Sequence, residues 1–266
     1  MISEVDRPRL TRSLSEKDRI NIVHLGLGAF FRAFSCNFFQ DMKEIKNAEI
    51  NVLGVSLKTA ALVDSLRPQG GLYTNIEKGP NEVRLRVIDV IKEVVFAPRN
   101  PGYVLQCLAS LEVSVVTLTL TEKGYCFIPN SGKLDLNHPD ILFDLENPNN
   151  PRSAIGYLVY ALQIRKENGL KPFSCLSFDN LPRNGNILSE AVLQFAKIVD
   201  DELFQWIFEN GAFPSSMVDR IVPSTSEEDK NLLRSLVSYD DHAPTVHEPY
   251  SLWVIEDKFV QAHPFD

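Results

Sequence analysis

The sequence predicts an α/β protein with a doubly wound, mostly parallel sheet into which a β-hairpin is inserted. Short runs rich in β-branched residues alternate along the chain with longer segments in which apolar residues recur every three to four positions. The clearest run, 113–120 (VSVVTLTL), has the density of β-branched residues expected of a strand buried on both faces. Such alternation is typical of parallel strands joined by crossover helices.

The elements follow from these patterns in chain order. Residues 1–20 form a polar lead-in, and residues 21–266 form one predicted domain, because no linker-like stretch divides them. The predicted extended segments are 21–27, 50–57, 113–120, 173–178 and 213–223. The predicted helices are 31–43, 103–111, 153–168, 187–199, 202–209 and 227–237. Residues 251–259 fit a strand or a helix equally well.

Two stretches interrupt the alternation. Residues 72–95 follow two adjacent glycines and read as a hairpin that turns at 78–81 (KGPN). Residues 130–144 are rich in Pro, Asn and Gly and are predicted to be an irregular excursion.

Composition excludes several classes of function. The formal net charge of -8 repels phosphate backbones, so we expect no nucleic-acid partner. No stretch approaches the roughly 18 apolar residues of a membrane span, so we expect a cytoplasmic protein without a membrane partner. The four cysteines show neither CxxC spacing nor a histidine at zinc-ligand spacing. We therefore expect free thiols and no metal site.

A glycine-containing stretch, 23–34 (VHLGLGAFFRAF), follows the first predicted strand. Gly26 and Gly28 occupy the first two positions of the dinucleotide fingerprint G-x-G-x-x-G, whereas Phe31 occupies the third. Gly26 would allow the tight turn, and Gly28 would let a pyrophosphate approach the backbone. The pattern alone fits either a dinucleotide-binding loop or a strand that simply turns into a helix.

The second predicted strand ends without the acidic residue that commonly binds ribose hydroxyls. Lys58 is the first charged residue after it, and no acid follows until Asp64. A lysine here can neutralise a 2′-phosphate or can be a solvated surface residue, so the coenzyme can be NAD or NADP.

Polar residues also follow other strands, where open parallel sheets bind ligands. They are Thr119, Thr121, Glu122 and Lys123 at the end of one strand, and Asp179, Asn180 and Asn184 at the end of another. A pair of opposite charges, Asp219 and Arg220, lies within the apolar segment 213–223. This pair fits a functional acid or a structural ion pair.

Several stretches together resemble the polyol-specific long-chain dehydrogenases, a family that includes mannitol 2-dehydrogenase and fructuronate reductase. They are IVHLGLGAFFRAF, GVSLK, PQGGLYT, TLTEKGYC, PRSAIGYLVYAL, SFDNLPRNG, FPSSMVDRIVP and EPYSLWVIEDKF. The resemblance implies a Rossmann-like domain that binds NAD(H) or NADP(H) without a metal. It also implies interconversion of mannitol and fructose, or of mannonate and fructuronate, so the substrate is a small polyol or aldonate.

The resemblance assigns roles to individual residues. Asn180 matches an asparagine that steadies the oxyanion, and Asp219 matches an acid beside the catalytic site. The expected cofactor-binding residues are Gly26, Gly28, Phe30, Arg32, Lys58, Thr121 and Glu122.

The chain also departs from the family pattern. Phe31 and Phe34 replace two histidines, Phe178 replaces a cysteine, and Gly70 replaces an aspartate. Nothing matches the K-x4-N-x2-H motif that carries the catalytic lysine in the family's helical C-terminal domain. We expect a chain that lacks that domain, binds coenzyme without efficient turnover and relies on a separate C-terminal catalytic domain. The alternatives are a non-catalytic dinucleotide-binding module or the remnant of a split or degraded gene.

Overall fold

A computed structural model describes residues 7–12, 19–120, 122–128, 133–263 and 265. The strands are β1 Ile22–Leu25, β2 Val52–Ser56, β3 Tyr73–Lys78, β4 Val83–Ile88, β5 Ile91–Phe96, β6 Val115–Leu118, β7 Ser174–Ser177, β8 Ser216–Asp219, β9 Thr245–His247 and β10 Leu252–Ile255. The α-helices are α1 Ala29–Ala33, α2 Ser35–Lys46, α3 Ala61–Leu66, α4 Pro101–Ala109, α5 Pro139–Glu146, α6 Ala154–Glu167, α7 Asn184–Val199, α8 Asp201–Asn210 and α9 Glu227–Leu236.

The central sheet is parallel and has the strand order β5-β2-β1-β6-β7. The chain runs outward from β1 through β2 to β5, then returns to the other side of β1 for β6 and β7. The strand order therefore reverses between β1 and β6, which confirms the predicted doubly wound sheet. In such folds the crevice beyond the carboxyl ends of the strands at this reversal is where ligands bind.

Both faces of the central sheet are buried, which explains the apolar strands. On β1, Val23 and Leu25 pack into a core that includes residues of α4, α6 and α7, whereas Ile22 packs on the opposite face with residues of α1 and α2. Strands buried on both faces carry near-continuous apolar runs. The apolar residues of β1 and β6 are therefore explained by the position of these strands in the middle of the sheet.

Two smaller sheets lie outside the central one. The hairpin predicted over 72–95 is confirmed for the antiparallel pair β3–β4, to which β9 adds a parallel strand. The last part of the predicted segment is β5, which pairs parallel with β2 and belongs to the central sheet. The predicted extended segment 213–223 contains β8, and the ambiguous segment 251–259 contains β10. These two strands pair antiparallel, so the second segment is a strand because the first one is its partner.

Two predictions about helices need correction. The single helix predicted over 31–43 is two helices, α1 and α2, separated at Phe34, whose backbone ψ is -78°. The break places the Phe34 ring 5.2 Å from Phe38 and 6.1 Å from Trp253. The predicted excursion 130–144 contains the start of α5, whose first turn is capped by His138.

The cysteines are free, as predicted: three are buried and Cys107 is half-buried. None of the helices in the described ranges is both long enough and apolar enough to span a bilayer.

Candidate functional site

The turn after β1 requires glycine at position 26. Gly26 has φ +106°, and a Cβ there would lie 2.0 Å from the carbonyl oxygen of Thr119, at the end of β6. Its N–H donates to the Val55 carbonyl of β2 at 2.9 Å. The turn is therefore held tightly between the ends of the two strands that flank β1.

A buried histidine of β1 makes a hydrogen bond to this turn. His24 is fully buried, and its Nε2 lies 3.2 Å from the Gly26 carbonyl oxygen while Nδ1 lies 2.8 Å from the Thr117 hydroxyl. Desolvation lowers its pKa to about 3, so the ring is neutral. Because a carbonyl can only accept, Nε2 carries the proton and donates to Gly26, and Nδ1 accepts from Thr117. The ring stacks on Phe31 with centroids 3.4 Å apart.

A cavity of about 360 Å³ opens beyond the carboxyl ends of β1, β2 and β6. It is lined by Gly26, Leu27, Ser56, Leu57, Lys58, Thr59, Thr119, Leu120, Gly124, Cys126, His138, Asp140, Arg152, Ser153 and Ala154. A smaller cavity of about 230 Å³ shares four of these residues and adds the Tyr157 side chain. We call the two together the glycine-turn cleft.

Charged side chains surround the far end of the glycine-turn cleft, by which we mean the end away from Gly26 that the smaller cavity shares. Lys58 Nζ lies 2.7 Å from Asp140 Oδ2, and the Lys58 side chain is 68% exposed. The Arg152 guanidinium lies 3.4 Å from the centre of the Phe143 ring. Sequence reasoning found Lys58 but missed Asp140, Arg152 and Tyr157, because no local pattern shows that α5 and α6 face the end of β2.

A second cavity, of about 470 Å³, contains Asn180 and lies between the end of β7 and the β8–β10 pair. We call it the Asn180 cavity. Asn180 is exposed, whereas the preceding Asp179 is 7% exposed. The Asp179 carboxylate accepts hydrogen bonds from the Leu120 N–H at 2.7 Å and the Tyr125 hydroxyl at 2.6 Å. Desolvation outweighs these bonds and raises its pKa to about 6. Since Leu120 lines the glycine-turn cleft, this contact lies on the wall between the two cavities.

Asp219 ends β8 at an exposed position opposite Leu252 of β10 and does not line the Asn180 cavity. The alternative of an ion pair with Arg220 is wrong. Arg220 instead donates to the carbonyls of Ala33 and Tyr250. It thereby ties the end of β8 to the break between α1 and α2.

The expected cofactor-binding residues divide into two groups. Gly26 and Lys58 line the glycine-turn cleft, and Gly28 lies two residues beyond the turn as the N-cap of α1. Phe30 is half-buried and stacks on Phe34 at 5.1 Å. Arg32 is buried away from the cleft, where it donates to the Ala243 carbonyl and lies over the Tyr73 ring.

The last two expected cofactor-binding residues are Thr121 and Glu122. Thr121 lies outside the described residues. Glu122 begins a short 3-10 helix, Glu122–Tyr125, and nothing is described of its side chain. Within the described ranges, no three or more His, Cys, Asp or Glu side chains come together in a way that could hold a metal ion.

The strand order, the glycine turn at the reversal point and the adjoining cleft define a dinucleotide-binding domain of the Rossmann type. The family model described as the mannitol dehydrogenase Rossmann domain matches residues 20–265. The chain therefore belongs to the mannitol dehydrogenase family, as its sequence motifs predict.

Curated relatives and solved structures agree with this assignment. D-mannonate oxidoreductase of Escherichia coli is 41% identical over 98% of this chain and 54% of its own length. Mannitol 2-dehydrogenase of Aspergillus terreus is 40% identical over 91% of this chain and 49% of its own. The chain thus spans about half the length of the curated relatives it matches.

The structural match is equally close. The ternary complex of Pseudomonas fluorescens mannitol 2-dehydrogenase with NAD and D-mannitol superposes with a TM-score of 0.88 at 34% identity, covering 96% of this chain and 53% of that one. A substrate-free D-sorbitol dehydrogenase superposes with a TM-score of 0.88 at 36% identity, covering 94% of this chain and 53% of that one.

Proposed function

We propose that this chain binds NAD(H) or NADP(H) in the glycine-turn cleft and provides the coenzyme half of a secondary-alcohol dehydrogenase. The observation that carries the proposal is the Gly26 turn, which lies where the strand order reverses and opens directly onto the cleft. The cytoplasmic location expected from the composition is part of the same proposal.

The glycine turn and the cleft beside it fit a dinucleotide. A Cβ added at Gly28 would meet only the Gly26 carbonyl oxygen, at 3.6 Å, so the backbone beyond the turn is open to a close-approaching phosphate. Lys58 and Arg152 supply positive charge at the far end of the cleft. The buried Tyr157 hydroxyl has no hydrogen-bond partner among the described residues, which is typical of a group that a ligand satisfies.

Asn180 is proposed to act on the substrate rather than on the coenzyme. It lines the cavity on the other side of the Leu120–Asp179 contact, where its amide N–H can donate to a developing alkoxide. The bound nicotinamide would supply the hydride acceptor or donor. Asp219 is proposed as an acid beside this site, at the end of β8.

The Asn180 cavity has no lysine or histidine among its described lining residues. Transfer of the alcohol proton needs a positioned general acid or base, which typically contributes about 10²–10⁴-fold to the rate. We therefore propose that this group comes from a separate C-terminal catalytic domain, and that the substrate is a polyol or an aldonate. The same observation favours the second candidate, a dinucleotide-binding module without catalysis.

The test has a binding step and a turnover step. Titration with NADH and with NADPH, followed by nicotinamide fluorescence, should give saturable binding. The chain is then assayed with fructose and with fructuronate, alone and mixed with the C-terminal half of the E. coli D-mannonate oxidoreductase. Turnover only in the mixture, abolished by Asn180→Ala, supports the dehydrogenase; binding without turnover in either case supports the non-catalytic module. Failure to bind either coenzyme overturns both.

A further inference from the structure

The end of β2 carries a lysine where dinucleotide-binding domains of this type commonly carry an acid. Lys58 is the second residue after β2, and its ammonium group is held 2.7 Å from the Asp140 carboxylate. Asp140 belongs to the first turn of α5 and lies 82 positions further along the chain. Folding thus brings a carboxylate to the strand end that lacks one in the sequence.

We propose that the Asp140 carboxylate accepts hydrogen bonds from the hydroxyls of the adenosine ribose and thereby selects NAD(H) over NADP(H). The inference rests on the proposed function, because it concerns how the same cleft distinguishes two coenzymes. Asp140 lines both cavities of the glycine-turn cleft, so this residue lies where they meet. Its Oδ2 is engaged by Lys58, while its Oδ1 accepts no hydrogen bond within the described part of the chain. A carboxylate has lone pairs for several donors, so Asp140 can accept from a ribose while Lys58 stays paired.

The pairing also determines what Lys58 can do. A lysine bound to a carboxylate is already neutralised, so it offers a 2′-phosphate less attraction than a free ammonium group would. A 2′-phosphate would bring two negative charges toward Asp140, whereas a 2′-hydroxyl would bring a donor. Arg152 lines the same cavities and adds one positive charge, which moderates the discrimination but leaves its direction unchanged.

A second, independent observation points to a ligand at this end of the cleft. Tyr157 lines the smaller cavity together with Lys58, Asp140 and Arg152. Its side chain is 1% exposed, yet its hydroxyl has no partner among the described residues. A buried hydroxyl without a partner is costly, and a bound ribose or adenine would supply one.

The experiment compares NADH and NADPH affinities in wild type, Asp140→Asn and Glu146→Gln. Glu146 is exposed on the same helix and does not line the cleft, so its variant controls for the loss of one negative charge. We expect wild type to prefer NADH, and Asp140→Asn to weaken NADH about tenfold, since a hydrogen bond to a charged group is worth roughly that factor or more. NADPH affinity should stay the same or rise, while Glu146→Gln should keep the wild-type ratio.

A second variant and two fragments make the result decisive. Lys58→Met removes the cation that pairs with Asp140 but leaves the ribose acceptor, so it should weaken NADPH more than NADH. Competition by 5′-AMP and 2′,5′-ADP isolates the ribose end from the nicotinamide, and thermal melts confirm that each variant folds. A wild type that prefers NADPH, or an unchanged NADH/NADPH ratio in Asp140→Asn, overturns the inference while leaving the proposed function intact. Failure of wild type to bind either coenzyme overturns the proposed function itself.

Discussion

The Asp179 carboxylate accepts a hydrogen bond of 2.7 Å from the Leu120 backbone N–H, and this bond joins the ends of β7 and β6. This contact lies on the wall between the glycine-turn cleft and the Asn180 cavity. Whatever fixes Asp179 therefore fixes the position of Asn180 relative to the glycine-turn cleft.

Asp179 should make stability depend on pH in a direction opposite to that of most carboxylates. Its pKa is raised from 3.8 to about 6, so the folded chain holds this proton more tightly than the unfolded chain. The stabilisation is fully present below about pH 4 and is lost as the pH rises through 6, to a total of up to about 3 kcal/mol. Asp179→Asn should lack this loss. Urea unfolding of both proteins from pH 4 to pH 8 measures it, and parallel profiles would contradict the prediction.

Gly26→Ala should destabilise the fold strongly. The new Cβ would meet the Thr119 carbonyl at 2.0 Å, and φ +106° is unfavourable for alanine. We expect a loss of more than about 2 kcal/mol. Gly169→Ala is the matched control, because Gly169 also has positive φ, +68°, but nothing within 4 Å of an added Cβ. Gly169→Ala should lower the free energy of unfolding by only about 1 kcal/mol. If urea unfolding gave the same loss for both variants, the backbone would have moved to relieve the clash at Gly26, against this prediction.

Gly28→Val should impair coenzyme binding while the fold is preserved. Gly28 has φ -123°, which any residue adopts, and an added Cβ would have only one neighbour within 4 Å. Stability should fall by only about 1 kcal/mol, because valine is a poorer N-cap than glycine but meets no clash. The valine side chain would occupy the approach of a phosphate, so NADH affinity should fall at least about tenfold, or 1.4 kcal/mol. Unchanged affinity in a fluorescence titration would remove the glycine turn from the binding site.

Lys58→Asp should weaken NADPH more than NADH. The change places a second carboxylate beside Asp140 and removes the cation that pairs with it. Two carboxylates repel a 2′-phosphate, so we expect about tenfold greater loss for NADPH than for NADH. The two dissociation constants are measured at low and high salt, since screening should reduce the difference. Equal losses for both coenzymes at low salt would show that Lys58 does not face the 2′ position.

The apolar side chains that β8 and β10 expose at the Asn180 cavity should promote self-association. Met217 and Val254 are cross-strand neighbours, each 53% exposed, and Ile221 and Tyr250 nearby in sequence are also exposed. Contiguous exposed apolar surface favours association. Val254→Thr combined with Met217→Lys should shift sedimentation at high concentration toward the monomer. Ile45→Thr, a change at an exposed residue of α2, is the control and should leave the distribution unchanged.

The sequence by itself indicated four of the five strands of the central sheet and the position of the glycines at its first turn. Strands β1 and β6 are recognisable because burial on both faces demands uninterrupted apolar side chains. Helix α6 is recognisable from its length and its many apolar residues, and its N-terminus is capped by the Ser153 side chain. These signals are local, so they survive without knowledge of the fold, and they were enough to indicate the family.

Only the tertiary structure decided which side chains surround the cleft. Lys58 and Asp140 are far apart in sequence, and their pairing depends on how the segment after β6 folds back toward β2. The break between α1 and α2 at Phe34 depends in the same way on Trp253, which β10 brings against it. The elevated pKa of Asp179 arises from burial that no neighbouring residue in sequence predicts. Short-range patterns fix strands, helices and turns, whereas charge pairing and desolvation are set by the packing of distant segments.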